Sequence, residues 1–431
     1  MSLSPKRILF ATIGSLGDLH PCIALGQELQ RRGHSVTIAA TAFYRDKVES
    51  TGFLFRAMRP NWNPTDQELI RQCEDLKTGP EILYRKLVLP HLSDTYDDLL
   101  AACGDVDLLL AGELVYAAPL VAEKLQLPWV SMIFSPSSFF SSHDPSVLVT
   151  VPSLIHLRKL SRPAYSSALN FCRLATRHWS NPVRRLRRRH GLRKECDPVF
   201  RDKYSEQLVL ALFSPHLGRK QPDWPTQTIQ PGFVFHDSPS RDSAAPPELT
   251  QFLAQGDPPV VFTLGSSAVH HPGNFYEASV NAARKLNRRA LLVGTQGSRS
   301  DSPDVIGLPY AAYSQVFPHA AAIVHQGGSG TTGQALRAGR PMLIVPYGWD
   351  QPDNAARIER LGVGLSLARK DYNSATAVSA IGRLLSEPSF DACARELAAK
   401  LAKEDGCGIA SHEIESILCR SCGGHAREPR S

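Results

Sequence analysis

A chain of 431 residues exceeds the usual size of one domain and predicts about two domains of roughly 150 to 220 residues each. Hydrophobic residues at 42% and charged residues at 21% match ordinary globular usage, which excludes a disordered or fibrous chain. The 48 Lys and Arg against 41 Asp and Glu leave a net charge of +7, too mild to mark a nucleic-acid binder, and no run reaches the roughly 18 to 20 apolar residues of a spanning helix.

From the N-terminus, Met1 to Arg7 lead directly into the apolar run Ile8 to Ile13, too short for a signal peptide, so the expected location is the cytoplasm. The odd, scattered set of nine cysteines argues for reduced thiols rather than a secreted disulfide framework. Next come a Gly-rich turn, a helical stretch from Pro21 to Arg32 ended by Gly33, and the β-rich run Ser35 to Ala39. This βαβ pattern, continued by Val106 to Ala111 and Trp129 to Phe134, predicts a doubly wound α/β half with a parallel sheet. Between Arg184 and Lys194 lies the densest basic run, which reads either as a solvated helix face or as a patch for an anionic membrane surface or acidic acceptor. Aromatic residues are not interleaved there as stacking platforms, so no nucleic-acid partner is expected.

Pro and Ser accumulate from His236 to Glu248, placing a linker at 238–247 between an N-terminal unit, 1–237, and a C-terminal unit, 248–400. The second unit repeats the α/β series with Val260 to Leu264, Ala290 to Val293, Ala321 to Val324 and Met342 to Val345, so two sheets should face one cleft. The tail 419–431 is expected to be disordered; its Cys419-Arg-Ser-Cys422, near His425, is a lone pair without a second one and a weak metal or redox signal.

Chemistry concentrates in the loops at strand ends. After the first strand comes Gly14-Ser-Leu-Gly17-Asp18-Leu-His20-Pro21, without the third glycine or the acidic end of the second strand that NAD binding needs; Ala40 and Thr41 stand there instead. This loop faces the ligand crevice of an open α/β sheet, so Asp18 or His20 is a candidate general base, although Asp18 also suits a helix cap and His20 a surface position. Glu113, after the Val106 to Ala111 strand, is a further cleft carboxylate able to orient His20.

In the second half, His325-Gln-Gly327-Gly328-Ser329-Gly330-Thr331-Thr332 joins a strand to a helix. Its glycines and the helix N-terminus suit a phosphate, while the Lys of an ATP-hydrolysing loop is missing; His325 can donate to the phosphate instead. Trp349-Asp350-Gln351 ends the next strand with an apolar face, a carboxylate and an amide, groups suited to a sugar. Tyr310 and Tyr313 offer rings for a nucleobase.

With these motifs the chain resembles family 1 glycosyltransferases of the UDP-glycosyltransferase superfamily, in the bacterial branch of the glycopeptide-antibiotic, rhamnolipid and sterol enzymes. The resemblance spans nearly the whole chain and rests on Gly14 to Asp18, His325 to Thr331 and Trp349 to Gln351. It implies a GT-B fold of two Rossmann-like domains, an acceptor site in the first and a nucleotide-sugar site in the second. A terminal helix, 401–418, should pack back on the first domain. It also implies inverting transfer without a metal or other cofactor.

By position, Asp18 matches the catalytic Asp of this branch, and His325 the phosphate-binding His. Gly328, Ser329, Gly330 and Thr331 match the diphosphate loop, Ser266 a phosphate contact, and Asp350 with Gln351 the pair on sugar hydroxyls. Tyr310 stands where plant enzymes place a base-stacking Trp. Gly17, Tyr313 and Trp349 complete the expected donor site. The expected donor is a UDP- or dTDP-hexose of glucose or rhamnose type. Trp62, Phe134, Phe139 and Phe140 point to a hydrophobic hydroxyl acceptor such as a phenolic, polyketide, sterol or hydroxy-lipid. A nucleotide-sugar epimerase and a non-catalytic sugar-nucleotide or lipid binder are the alternatives.

Overall fold

In the computed structural model, which describes residues 4–193, 197–237, 246–295 and 302–423, the apolar runs form two wholly parallel sheets. The first contains β1 (Arg7–Ala11), β2 (Ser35–Ala40), β3 (Leu54–Ala57), β4 (Leu108–Gly112), β5 (Trp129–Ile133), β6 (Val209–Ala211) and β7 (Thr228–Ile229), in the order β3-β2-β1-β4-β5-β6-β7. The second contains β8 (Val260–Thr263), β9 (Ala290–Val293), β10 (Val305–Leu308), β11 (Ala322–His325), β12 (Met342–Ile344) and β13 (Gly364–Ser366), in the order β10-β9-β8-β11-β12-β13. Central strands such as Leu108 to Gly112 and Val260 to Thr263 are buried on both faces, as parallel sheets flanked by helices require. This is the expected α/β class.

Five strands not expected from the sequence, β3, β6, β7, β10 and β13, span two to four residues each. Segments that short carry no periodicity of their own and are set by pairing with a neighbour.

Helix α1 (Leu16–Arg31) starts five residues before the predicted Pro21. Ser15 is its N-cap: its hydroxyl accepts from Gly17 N at 3.2 Å, while the Asp18 carboxylate accepts from Ser15 N at 2.8 Å. This reciprocal box outweighs the loss of one internal hydrogen bond at Pro21, which lies inside the helix.

Six more helices frame the site or join the halves: α2 (Gln67–Cys73), α3 (Arg162–Thr176), α4 (Asn181–Arg189), α5 (Ser329–Ala338), α6 (Gln351–Arg360) and α7 (Gly406–Gly423). In α7, Ala410, Ile414 and Leu418 enter the same core as Ile8, Leu25 and Val36, and Glu415 pairs with Arg32 (2.9 Å) and lies 3.2 Å from His34. The chain thus returns to the first sheet. Its last turn overrules the expected disorder from 419 onward as far as Gly423, because Leu418 is seated in the core and holds the helix end; 424–431, including His425, lie outside the described residues. So do 238–245, most of the predicted linker; Pro247, its expected last residue, already opens a helix. One apolar cluster runs from Ile133 and Val209 through Phe213 and Phe233 to Val261 and Ile323, so the halves share a core.

No helix among the described residues is long and apolar enough to cross a membrane. The basic run is not uniform. Arg187 is buried against Glu123 and donates to the Arg193 carbonyl at 2.9 Å, while Arg185, Arg188 and Arg189 are exposed. Lys194 lies outside the described residues.

Candidate active site

Ligands of open α/β sheets bind beyond the carboxyl ends of the strands, where the strand order reverses. Here the reversals fall at β1/β4 and β8/β11, and the loops after those four strands carry Asp18, Glu113, Ser266 and the 325–331 segment. They enclose one cleft of about 1680 Å³ lined by both halves. Drug-sized ligands usually occupy about 300 to 1,000 Å³, so the space suits two substrates.

Asp18, Gly17, His20 and Glu113 all line the cleft. Burial pushes the Asp18 carboxyl up to about 7; the Ser15 N–H opposes this, while the Glu113 and Asp350 carboxylates add to it. Burial drives His20 down to about 3, helped by Lys47 and by His236, whose ring centroid is 5.2 Å away. His20 is therefore neutral at pH 7 and a weak base. Glu113 does not orient His20: it accepts from Ser138 Oγ at 2.8 Å and pairs with Lys203 Nζ at 2.9 Å. Lys203 had no signal in the sequence, because its partner lies 90 positions away.

Gly328 caps α5, whose first turn carries Ser329, Gly330 and Thr331 along the cleft. First-turn N–H groups lack partners within a helix and favour an anion. A Cβ on Gly330 would meet nothing within 4 Å, so that backbone lies open to a ligand.

His325 departs from its expected role. It is fully buried, its Nδ1 accepts from Gly327 N at 3.0 Å, its Nε2 lies 3.5 Å from Met342 Sδ, and burial pushes its pKa down to about 3. It shapes the turn from beneath and does not line the cleft. Successive residues leaving a strand point to opposite sides, so Gln326 takes the cleft-facing place. The Gln326 amide nitrogen fills the space where a Cβ on Gly265 would sit, and Gly265 has φ +66°. Glycine is needed there on both counts.

Asp350 accepts from Ser329 Oγ at 2.7 Å and from Asn354 Nδ2 at 2.9 Å, which ties the expected sugar position to the helix N-terminus; burial raises its pKa. Gln351 also lines the cleft; its carboxamide oxygen accepts from Tyr347 N (2.7 Å) and Gly348 N (3.1 Å) and closes the turn. Trp349, at φ +58°, lines the cleft and donates Nε1 to the Cys73 carbonyl of α2 at 2.7 Å, bridging the halves. Beside that bridge, burial raises Glu74 to about 7, with His271 Nε2 at 3.4 Å.

Ser266, Tyr310 and Tyr313 also line the cleft. Tyr310 is exposed at the rim, whereas Tyr313 stacks on Phe317 at 4.4 Å and bonds Thr263 Oγ1 at 2.9 Å.

On the first half Trp62, Phe134 and Phe140 line the cleft, joined by Tyr84 and Leu148 from the same loops and by Trp179, which had no signal in the sequence. Phe139 does not: it lies in the core, stacked on Trp224 at 3.8 Å and on Tyr204 at 5.6 Å. The chain turns at Phe140, with φ +50°, so the two neighbouring rings part company.

Two family models match: the glycosyltransferase family 28 N-terminal domain over residues 8–139, and the erythromycin biosynthesis protein CIII-like C-terminal domain over residues 298–414. The chain is 34% identical over 426 residues to the O-mycaminosyltylonolide 6-deoxyallosyltransferase of Streptomyces fradiae, covering 95% of this chain and 97% of that one. It is 26% identical over 422 residues to sterol 3-beta-glucosyltransferase UGT80A2 of Arabidopsis thaliana, covering 94% of this chain and 64% of that one. Among solved structures, the spinosyn forosaminyltransferase SpnP shares the fold at a TM-score of 0.71 and 18% identity, covering 96% of this chain and 100% of that one. The glycosyltransferase VinC in complex with dTDP does so at 0.68 and 21%, with the same coverage.

Proposed function

The chain belongs to the GT-B glycosyltransferases, and from that premise we propose inverting, metal-independent transfer of a hexose from a UDP- or dTDP-sugar to a hydroxyl of a hydrophobic small molecule. One observation carries this reading. A carboxylate raised to about 7 on the apolar half faces, across one cleft, a helix N-terminus linked to a second carboxylate. Support for the donor comes from the dTDP complex of VinC, and for the acceptor from relatives named for a tylonolide and a sterol.

In this reading Asp18 accepts the proton of the acceptor hydroxyl as its oxygen attacks the anomeric carbon and the nucleoside diphosphate departs. A free Asp at about 3.9 is a weak base; burial raises Asp18 to about 7 and makes it a better one. The N–H groups at the start of α5, with Gln326, stabilise the departing diphosphate, and Asp350 binds sugar hydroxyls.

The test is incubation with UDP-glucose, dTDP-glucose and dTDP-rhamnose, EDTA present, against a mixed panel of phenols, macrolides, sterols and hydroxy-lipids, with products read by mass. Acceptor plus one hexose is expected. Epimerised or free sugar alone would point to an epimerase, and donor binding without any product to a non-catalytic binder.

Because Asp18 acts deprotonated, kcat/KM should rise with pH through about 7 and level off above it. Glu74 titrates in the same range, so the limb should persist in Glu74→Gln and vanish in Asp18→Asn. A profile flat from pH 5 to 9 would remove Asp18 from the role.

The exposed Arg185, Arg188 and Arg189 of the basic run suit an anionic lipid surface. Sedimentation with phosphatidylglycerol vesicles, and not with phosphatidylcholine vesicles, is the expected result; equal recovery with both would dismiss the contact.

A further inference from the structure

One helix of the second half touches both substrate regions. α6 begins just after Asp350 at the donor end, and within three turns it carries Asp353, Arg357 and Arg360. Asp353 accepts from Val147 N (2.9 Å) and from Arg357 Nε (2.7 Å). Arg357 then donates to Asp144 Oδ2 (2.5 Å), the Leu217 carbonyl (3.3 Å) and Ser146 Oγ (3.3 Å), and Arg360 to Asp144 Oδ1 (3.1 Å). Segment 144–147 of the first half is therefore bonded along α6.

That segment leads straight into the acceptor wall. Residues 147–151 line the cleft, and Leu148 packs on the cluster of Leu154, Tyr165 and Leu169. The Arg357 guanidinium is only 2% exposed and lies between carboxylates from opposite halves. Moving α6 apart from the 144–147 segment would leave charges buried and unpaired, so the two are constrained to move together.

We propose that the Asp353–Arg357–Asp144 chain couples the sugar end of the donor site to the acceptor wall, so that donor and acceptor bind cooperatively and Asp144 acts as a positioning residue. The proposal rests on the two-substrate reading above. Coupling is reciprocal: a donor that holds α6 fixes the wall, and an acceptor seated on the wall tightens the donor.

The test uses umbelliferone, a fluorescent phenol, as the acceptor probe and UDP-glucose or dTDP-glucose as the donor probe, in an Asp18→Asn background that suppresses turnover. Umbelliferone should bind at least about fivefold tighter when donor is present, the lower range of allosteric coupling. Adding Asp144→Asn should bring that ratio close to one, with donor affinity measured alone and Tm both little changed; Asp144 is partly exposed, and Arg357 keeps Asp353. An Arg360→Ala variant, which removes only the outer bond to Asp144, should keep most of the ratio.

No tightening in the Asp18→Asn background, or tightening that survives Asp144→Asn, overturns the coupling. So does a parallel fall in Tm and donor affinity, the signature of general loosening between the halves. Failure of both donors to bind would instead defeat the reading of the site itself, and the coupling with it.

Discussion

Replacing Asp18 with Asn should lower kcat by about a hundredfold or more while donor affinity stays within about twofold, the usual scale of losing a general base. Asn is nearly isosteric, and its carbonyl oxygen can still accept from Ser15 N, so the start of α1 is kept. Folding should not suffer either, since the change removes a buried carboxylate that Glu113 and Asp350 disfavour. What disappears is the acceptor of a proton. Steady-state rates at saturating donor and acceptor, with donor titration by calorimetry, check the split. A variant within about threefold of the parent rate would end the assignment, and attention would pass to His20 despite its low pKa.

The second large effect is on stability. Arg357→Met should destabilise the protein by about 3 to 5 kcal/mol, because removing one member of a buried ion network leaves the remaining charges uncompensated. The Asp353 side chain is 3% exposed and that of Asp144 18%, so water can do little for the first and only part of the work for the second. Asp353 would keep its bond from Val147 N, which is too little for a carboxylate that deep. Urea unfolding followed by tryptophan fluorescence measures the loss. Combining Arg357→Met with Asp353→Asn and Asp144→Asn should recover much of it, since the penalty lies in unpaired charge rather than lost volume. A loss below about 1 kcal/mol, or a triple variant worse than the single one, would mean that the network is solvated or acts by packing.

Much of the fold was legible because parallel strands buried on both faces must be runs of apolar residues: Ile8 to Ala11, Leu108 to Leu110 and Val260 to Thr263 can be read without a partner. β7 and β13 could not be read, because two or three residues acquire strand geometry only from their neighbours. In the site, Asp18, Ser329 and Asp350 were legible from their place in loops at strand ends. His325 and Phe139 have the right chemistry in the right loops, yet each is turned inward by a contact that no spacing records: Gly327 N and the Trp224 ring. Gln326 and Lys203 were missed for the converse reason.

The two α/β halves, the loops that carry chemistry and the residue types within them were written in the chain alone, because burial periodicity and glycine punctuation are local properties. Folding was needed to settle which side chain of each loop faces the cleft, how far the Asp18 carboxyl is raised, and that Asp144 and Arg357, 213 positions apart, form a junction between the halves. Orientation, desolvation and pairing depend on neighbours brought together by folding, and those neighbours lie far beyond any window along the chain.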